Sequence, residues 1–217
     1  MSNQTVFTLG ELAGLLEVPL HGNPSIQITG LATLKSATAG QLSFLSNPRY
    51  ATQLASCRAS AIIIDPEFAN ACPSAQLHSA SPYVTYARAS QLFAPPRPVL
   101  RGIHPTACVD ASAQLSSDVS IGANVVIEAD VVIGAGSVIG AGSYVGARSR
   151  IGSECILYPN VTVYHDVAIG DAVVLHSSVV IGADGFGFAF DGRRSVKIAQ
   201  LGGVRIGNDV EIGAGST

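Results

Sequence analysis

The chain has 217 residues, 47% of them hydrophobic and only 12% charged, with a net charge of −3. That balance excludes intrinsic disorder, which requires low hydrophobicity and high charge, and without a Lys/Arg block it excludes a general nucleic-acid binder. No apolar run approaches the ~18 residues of a membrane span; the densest, Ala61–Ile64, stops at Asp65.

The first five residues lack a basic region followed by an apolar stretch, so no signal peptide is expected and the cytoplasm is the expected compartment. Cys57, Cys72, Cys108 and Cys155 stand singly, without the spacing of a zinc site. No metal and no cofactor are expected.

Thr8-Leu-Gly-Glu11 is a capping box that opens a helix through about Leu16. Ile26–Thr29 alternates like a strand that Gly30 ends, and Leu42–Leu45 reads as another short strand. Asn47-Pro48 opens a helix through Cys57, with Pro at a tolerated first-turn position. Ala59–Ile64 reads as a buried strand and Pro82–Phe93 as a helix. Ala94-Pro95-Pro96-Arg97-Pro98 is a stiff linker. Residues 1–97 are therefore expected to form a small α/β domain.

From residue 103 every sixth position is aliphatic, fourteen times in succession from Ile103 to Ile181. From Ala107 to Val179 a small or β-branched residue stands two residues before each aliphatic, and glycine often follows the aliphatic. Alternation along a strand points both positions inward, and the glycine suits a turn with unusual φ/ψ. Three short strands and their turns close an 18-residue triangular coil, and stacked coils pair about 4.8 Å apart. The expected fold is an all-β parallel β-helix over residues 98–217. After Ile181 the register breaks and resumes at Ile206 and Ile212. The intervening 182–203 reads as a loop ejected from a corner, the kind of insertion that lies on binding faces. Gly182, Gly185 and Gly187 do not form a dinucleotide fingerprint, because no βαβ unit surrounds them.

The hexads resemble the hexapeptide-repeat acyltransferases, which implies a left-handed β-helix. Four segments are more specific: Leu42-Ser-Phe-Leu-Ser-Asn-Pro-Arg-Tyr50, Pro82-Tyr-Val-Thr-Tyr-Ala-Arg88, Tyr164-His-Asp-Val-Ala-Ile-Gly170 and Gly182-Ala-Asp-Gly-Phe-Gly187. Together they resemble the UDP-3-O-acylglucosamine N-acyltransferase family of lipid A biosynthesis. The resemblance implies transfer of a 3-hydroxyacyl group from acyl carrier protein to the 2-amino group of a UDP-linked, 3-O-acylated glucosamine. It also implies a homotrimer with active sites between neighbouring β-helices. Carried over, Phe44 and Tyr50 would sandwich the uracil and Asn47 would bond its edge. Their alternative roles are core aromatics and a helix cap.

Amine attack on a thioester needs a base, and a histidine is the simplest. The resemblance places that histidine after Thr217, which leaves turnover by residues 1–217 open; within the chain His165 is a weak candidate. His176 is expected to point outward and His104 to be structural, while His21 and His78 have no evident partner. A zinc trimer built on three histidines is a minor alternative, since only His165 and His176 qualify. In the insertion, Phe186, Phe188 and Phe190 would line an acyl path or pack on a neighbouring solenoid. Asp184 would contact the sugar or form an Asx-turn. Two other functions compete: a hexapeptide transferase using acetyl-CoA, and a silent UDP-sugar-binding and trimerisation module.

Overall fold

The computed structural model describes residues 5–95 and 101–217. Contacts divide the chain into two units, Met1–Arg97 and Pro98–Thr217. The expected linker runs into residues 96–98, which lie outside the described residues.

In the first unit, β1 (Phe7–Thr8) leads into α1 (Leu9–Leu16), and the capping box is present with both arms: Glu11 N–H donates to the Thr8 hydroxyl and Thr8 N–H to the Glu11 carboxylate. Strands β2 (Leu20–His21), β3 (Gln27–Ile28), β4 (Gly30–Leu31), β5 (Gln41–Phe44), β6 (Ala61–Ile64) and β7 (Ala75–His78) follow, then α2 (Pro82–Phe93). The sheet order is β2-β7-β6-β5-β4, parallel except for the β2/β7 edge, while β3 pairs with β1. Gly30 therefore does not end a strand as expected; it starts β4, and the chain switches sheets at Thr29.

β6 is buried throughout. Ala61 and Ile63 join a core with Leu9, Leu12 and Leu16 of α1 and Ala89 of α2, while Ile62 and Ile64 join a second core with Leu34, Leu45 and Leu54. A parallel strand covered on both faces is apolar without alternation. The second core is roofed by Pro48–Ser56 and Pro66–Ala71, both 3₁₀ rather than α-helical. Asn47 and Asp65 cap them identically, each carboxamide or carboxylate oxygen accepting the N–H two residues on.

The second unit is a triangular parallel β-helix. Its three ladders pair residues in register with the coil 18 positions on, as in Ser120↔Val138, Val126↔Tyr144 and Val132↔Arg150. The aliphatic hexad positions and the residues two before them fill one continuous core, including Val125, Ile127, Val161 and Val163. Ile103, at the end coil, is the exception at 52% exposed: among the described residues no coil lies beneath it. Where the inner small residue is serine, its hydroxyl is satisfied in both directions. Ser149 Oγ donates to the Tyr164 carbonyl (2.7 Å) and accepts the Val167 N–H (3.1 Å).

Gly182, at φ 83°, bears out the expectation, but the other glycines that follow an aliphatic are not there for their φ. From the Asn124 corner onward the left-handed residue comes two positions later, at Asn124, Asp130, Gly136, Arg148, Asn160 and Asp166 among others. The earlier glycine faces the backbone of the next coil: a Cβ on Gly140 would meet Pro159 N at 2.5 Å, and one on Gly146 would meet His165 N at 2.7 Å. Coil stacking excludes the side chain.

The insertion after Ile181 carries a β-hairpin, Phe188–Phe190 against Ser195–Lys197. The chain then re-enters the ladder at Arg205, which pairs with Ala168.

Candidate functional site

β5 ends at Phe44, and the chain turns through Leu45 and Ser46 to the Asn47 cap. Asn47 Oδ1 accepts the Arg49 N–H (3.0 Å) and its carbonyl accepts the Tyr50 N–H (3.0 Å). This turn brings Phe44 and Tyr50 to one open groove of about 320 Å³, lined also by Thr33, Leu34, Lys35, Leu45, Ser46 and Gln53. Leu34 and Leu45 are buried and give it an apolar floor, while Tyr50 is 54% exposed on its rim. Two of the three residues expected to bind the base thus line one groove. Asn47 lies beside it with its side-chain oxygen committed to the cap.

Phe44 is held from α2. The Tyr86 ring stacks on it with centroids 4.0 Å apart and planes 28° from parallel, and Tyr83 lies 5.8 Å away. One face of Phe44 is therefore occupied. A half-buried aromatic with a fixed ring plane that shares a groove with an exposed tyrosine suits a flat heteroaromatic ligand. Pro82–Arg88 is visible in the sequence as a helix, but nothing in it announces the contact with Phe44.

The β-helix carries two histidine–carboxylate pairs. His165 Nδ1 lies 2.7 Å from Asp166 Oδ2, and Arg148 grips the same carboxylate from the coil below through Nε (2.7 Å) and a terminal nitrogen (2.6 Å). Arg148, then His165, hold Asp166 down to about 2. An imidazole donating Nδ1–H to a carboxylate presents Nε2 as its free acceptor, and His165 is exposed. His176 Nε2 bonds Glu211 Oε1 (2.7 Å), and its ring stacks flat on Tyr158 at 4.9 Å. Among the described residues no group of three or more His, Cys, Asp or Glu is placed to hold a metal.

His104 bonds Thr106 within its own corner (3.0 Å). His21 and His78, without an evident partner in sequence, stack on each other across β2 and β7 with centroids 3.9 Å apart. Burial, then the His21 charge, push His78 below its ordinary value.

In the insertion, Asp184 pairs with the Lys197 ammonium and forms no Asx-turn; that role falls to Asp191, whose carboxylate accepts from Arg193 and Arg194 N–H. Phe186 is 97% exposed and meets Phe188 edge-on at 5.2 Å. Phe190, Ile198 and Leu201 are exposed as well, so the hairpin presents a largely apolar surface.

Residues 25–92 match the family model of UDP-3-O-(3-hydroxymyristoyl) glucosamine N-acyltransferase, and residues 112–147 and 148–183 match the bacterial transferase hexapeptide repeat. With that repeat, the stacked coils are those of a left-handed β-helix. The UDP-3-O-acylglucosamine N-acyltransferase of Pseudomonas entomophila is 49% identical over 95% of this chain and 59% of its own length. That of Alcanivorax borkumensis is 52% identical over 98% of this chain and 63% of its own length. The chain thus spans about three fifths of these curated relatives. A perosamine N-acetyltransferase structure from Caulobacter crescentus, with CoA and GDP-perosamine, is similar at 17% identity and a TM-score of 0.34, covering 78% of this chain and 91% of that one. Among the described residues no helix is long and apolar enough to cross a membrane.

Proposed function

For a chain that belongs to the UDP-3-O-acylglucosamine N-acyltransferase family, we propose the reaction its relatives are named for, with residues 1–97 as the nucleotide-recognising part. The acceptor is UDP-3-O-(3-hydroxyacyl)glucosamine and the donor a 3-hydroxyacyl thioester of acyl carrier protein. The enzyme works in the cytoplasm as a homotrimer, with active sites between adjacent β-helices.

The observation that carries this reading is the groove holding Phe44 and Tyr50. Phe44, backed by Tyr86, offers its remaining face to the uracil, and Tyr50 covers the base from the exposed side. Each ring is worth about 1–3 kcal/mol of stacking. Asn47, already a cap, contributes its amide N–H₂, because only its oxygen is used by Arg49 N–H.

In the transfer itself, the sugar amine attacks the thioester carbonyl. The nitrogen loses a proton to a base, and the tetrahedral intermediate expels the carrier's thiol as the amide forms. Within this chain His165 has the anchored Nδ1 and exposed Nε2 that such a role requires. The exposed phenylalanines of the hairpin suit the acyl chain.

The test offers this chain 3-hydroxyacyl carrier protein and the UDP-acylglucosamine, with UDP-sugar titrated in parallel by calorimetry. Turnover lost in His165→Ala places the base in this chain. UDP-sugar binding without turnover supports the nucleotide site and places the base elsewhere. Absence of both, or equal turnover with acetyl-CoA as sole donor, refutes the proposal.

A further inference from the structure

Among the described residues Lys35 is the one charged side chain lining the groove. It stands on the turn that follows β4, where the Thr33 carbonyl accepts from Ser36 N–H (3.1 Å) and Ala37 N–H (2.9 Å). The Thr33 and Ser36 hydroxyls bond each other at 2.8 Å. Leu34 and Ala37 are 8% and 3% exposed and tie the turn to the second core, so the lysine stem departs from a fixed base.

Among the described residues no carboxylate pairs with Lys35. The ion pairs among the described residues lie in the β-helix and its hairpin, on Arg148, His165, His176, Arg194 and Lys197. No acidic residue lines the groove either; its other polar members are Thr33, Ser46, Tyr50 and Gln53, which are all neutral. A cation beside an apolar floor attracts an anion more strongly than the same cation on a fully hydrated surface. The ammonium is a compact charge with three rotatable donors, a form that suits phosphate oxygens.

We propose that Lys35 reads the phosphate of a nucleotide whose base lies between Phe44 and Tyr50, so that the groove selects nucleoside diphosphates over free nucleosides. This rests on the assignment of the two aromatics as the base-stacking pair. The rings bind the part that a nucleoside and its diphosphate share. Lys35 engages only the part that distinguishes them. No bond is made or broken there; the lysine contributes attraction and register.

Calorimetric titration of the whole chain with uridine and with UDP separates the two assignments. In Lys35→Gln the affinity for UDP falls about tenfold, the size expected for a charge-assisted hydrogen bond, and the affinity for uridine is unchanged. The salt dependence of UDP binding falls with it. Lys35→Arg, which keeps the charge, retains most of the preference. Phe44→Ala weakens both ligands equally. If Lys35→Gln leaves the UDP-to-uridine ratio as it was while uridine still binds, Lys35 is not the phosphate reader and the stacking assignment stands. If neither ligand binds the unaltered chain, or Phe44→Ala changes neither, the stacking assignment fails and the Lys35 inference with it. Lys35 is exposed and makes no structural bond, so unfolding midpoints of both variants match that of the parent chain.

Discussion

Replacing Gly140 by alanine tests whether coil stacking, rather than turn geometry, selects the glycines of the β-helix. The new Cβ would lie 2.5 Å from Pro159 N, 2.6 Å from Tyr158 C and 2.8 Å from Leu157 O. Carbon contacts settle near 3.5–4.0 Å, and all three atoms are backbone, so no side chain can swing away. The coils must part locally by about 1 Å, which stretches the 2.7 Å bond from Gly140 N–H to the Leu157 carbonyl beyond useful length. Overpacking costs about 1–3 kcal/mol and the lost bond about 1 kcal/mol. Alanine's lower entropy in the unfolded chain returns about 0.4–1 kcal/mol. The net loss is about 1–3.5 kcal/mol. Gly14, exposed in α1 with nothing within 4 Å of its Cβ and no positive φ, is the control: Gly14→Ala is neutral or slightly stabilising. Urea unfolding followed by circular dichroism, with hydrogen exchange at the Gly140 and Tyr158 amides to localise the damage, decides. Equal effects at the two positions, or a Gly140→Ala loss below about 0.5 kcal/mol, would refute the reasoning.

Tyr86→Ala frees the back of Phe44 and weakens uridine affinity several-fold, whereas Tyr86→Phe keeps the stack and the affinity, read by the same calorimetric titration. Asp166 is held at about 2, below its ordinary 3.8, so its contribution to stability is complete above pH 4 and disappears as pH falls towards 2. Asp166→Asn removes that stretch of the pH–stability curve, and acid titration of the unfolding midpoint shows it. His78 is lowered, which favours its neutral form in the fold; stability of the first unit therefore declines as pH drops through the ordinary histidine value near 6.5. His21→Gln reduces that decline, seen in urea midpoints at neutral and mildly acid pH. Ser43 is fully buried, and its hydroxyl has no partner among the described residues. Ser43→Ala is therefore neutral or stabilising in thermal unfolding.

Local chemistry carried much of this architecture into the sequence. Two-residue strands with inward aliphatics leave a period of six that survives any interruption, and Thr8–Glu11 specifies its helix start through side chains three residues apart. What escaped notice depends on residues far apart in the chain. The reason for Gly140 lies at Pro159, in the following coil, and the partner of His21 lies at His78. Phe44 and Tyr50 stand close enough for one motif to carry both. Lys35 and Tyr86, which complete the groove and brace it, approach only when β4, β5 and α2 assemble. Asn47-Pro48 and Asp65-Pro66 announce a helical start without distinguishing 3₁₀ from α, since the cap and the proline suit both.

Between Ala168 and its partner Arg205 the chain travels 37 residues, where other coils take 18, yet the ladder closes in register on both sides of the detour. A strand joins by docking two residues on the edge already laid down, and that edge is indifferent to the route by which they arrive. The extra entropy of closing a connection twice as long is only about 0.6 kcal/mol. Corners of this solenoid therefore act as ports. Sequence can be gained or lost at one of them, bringing new surface such as the phenylalanine hairpin, while every coil above and below keeps its geometry. Variation in what the protein touches is thereby separated from variation in whether it folds.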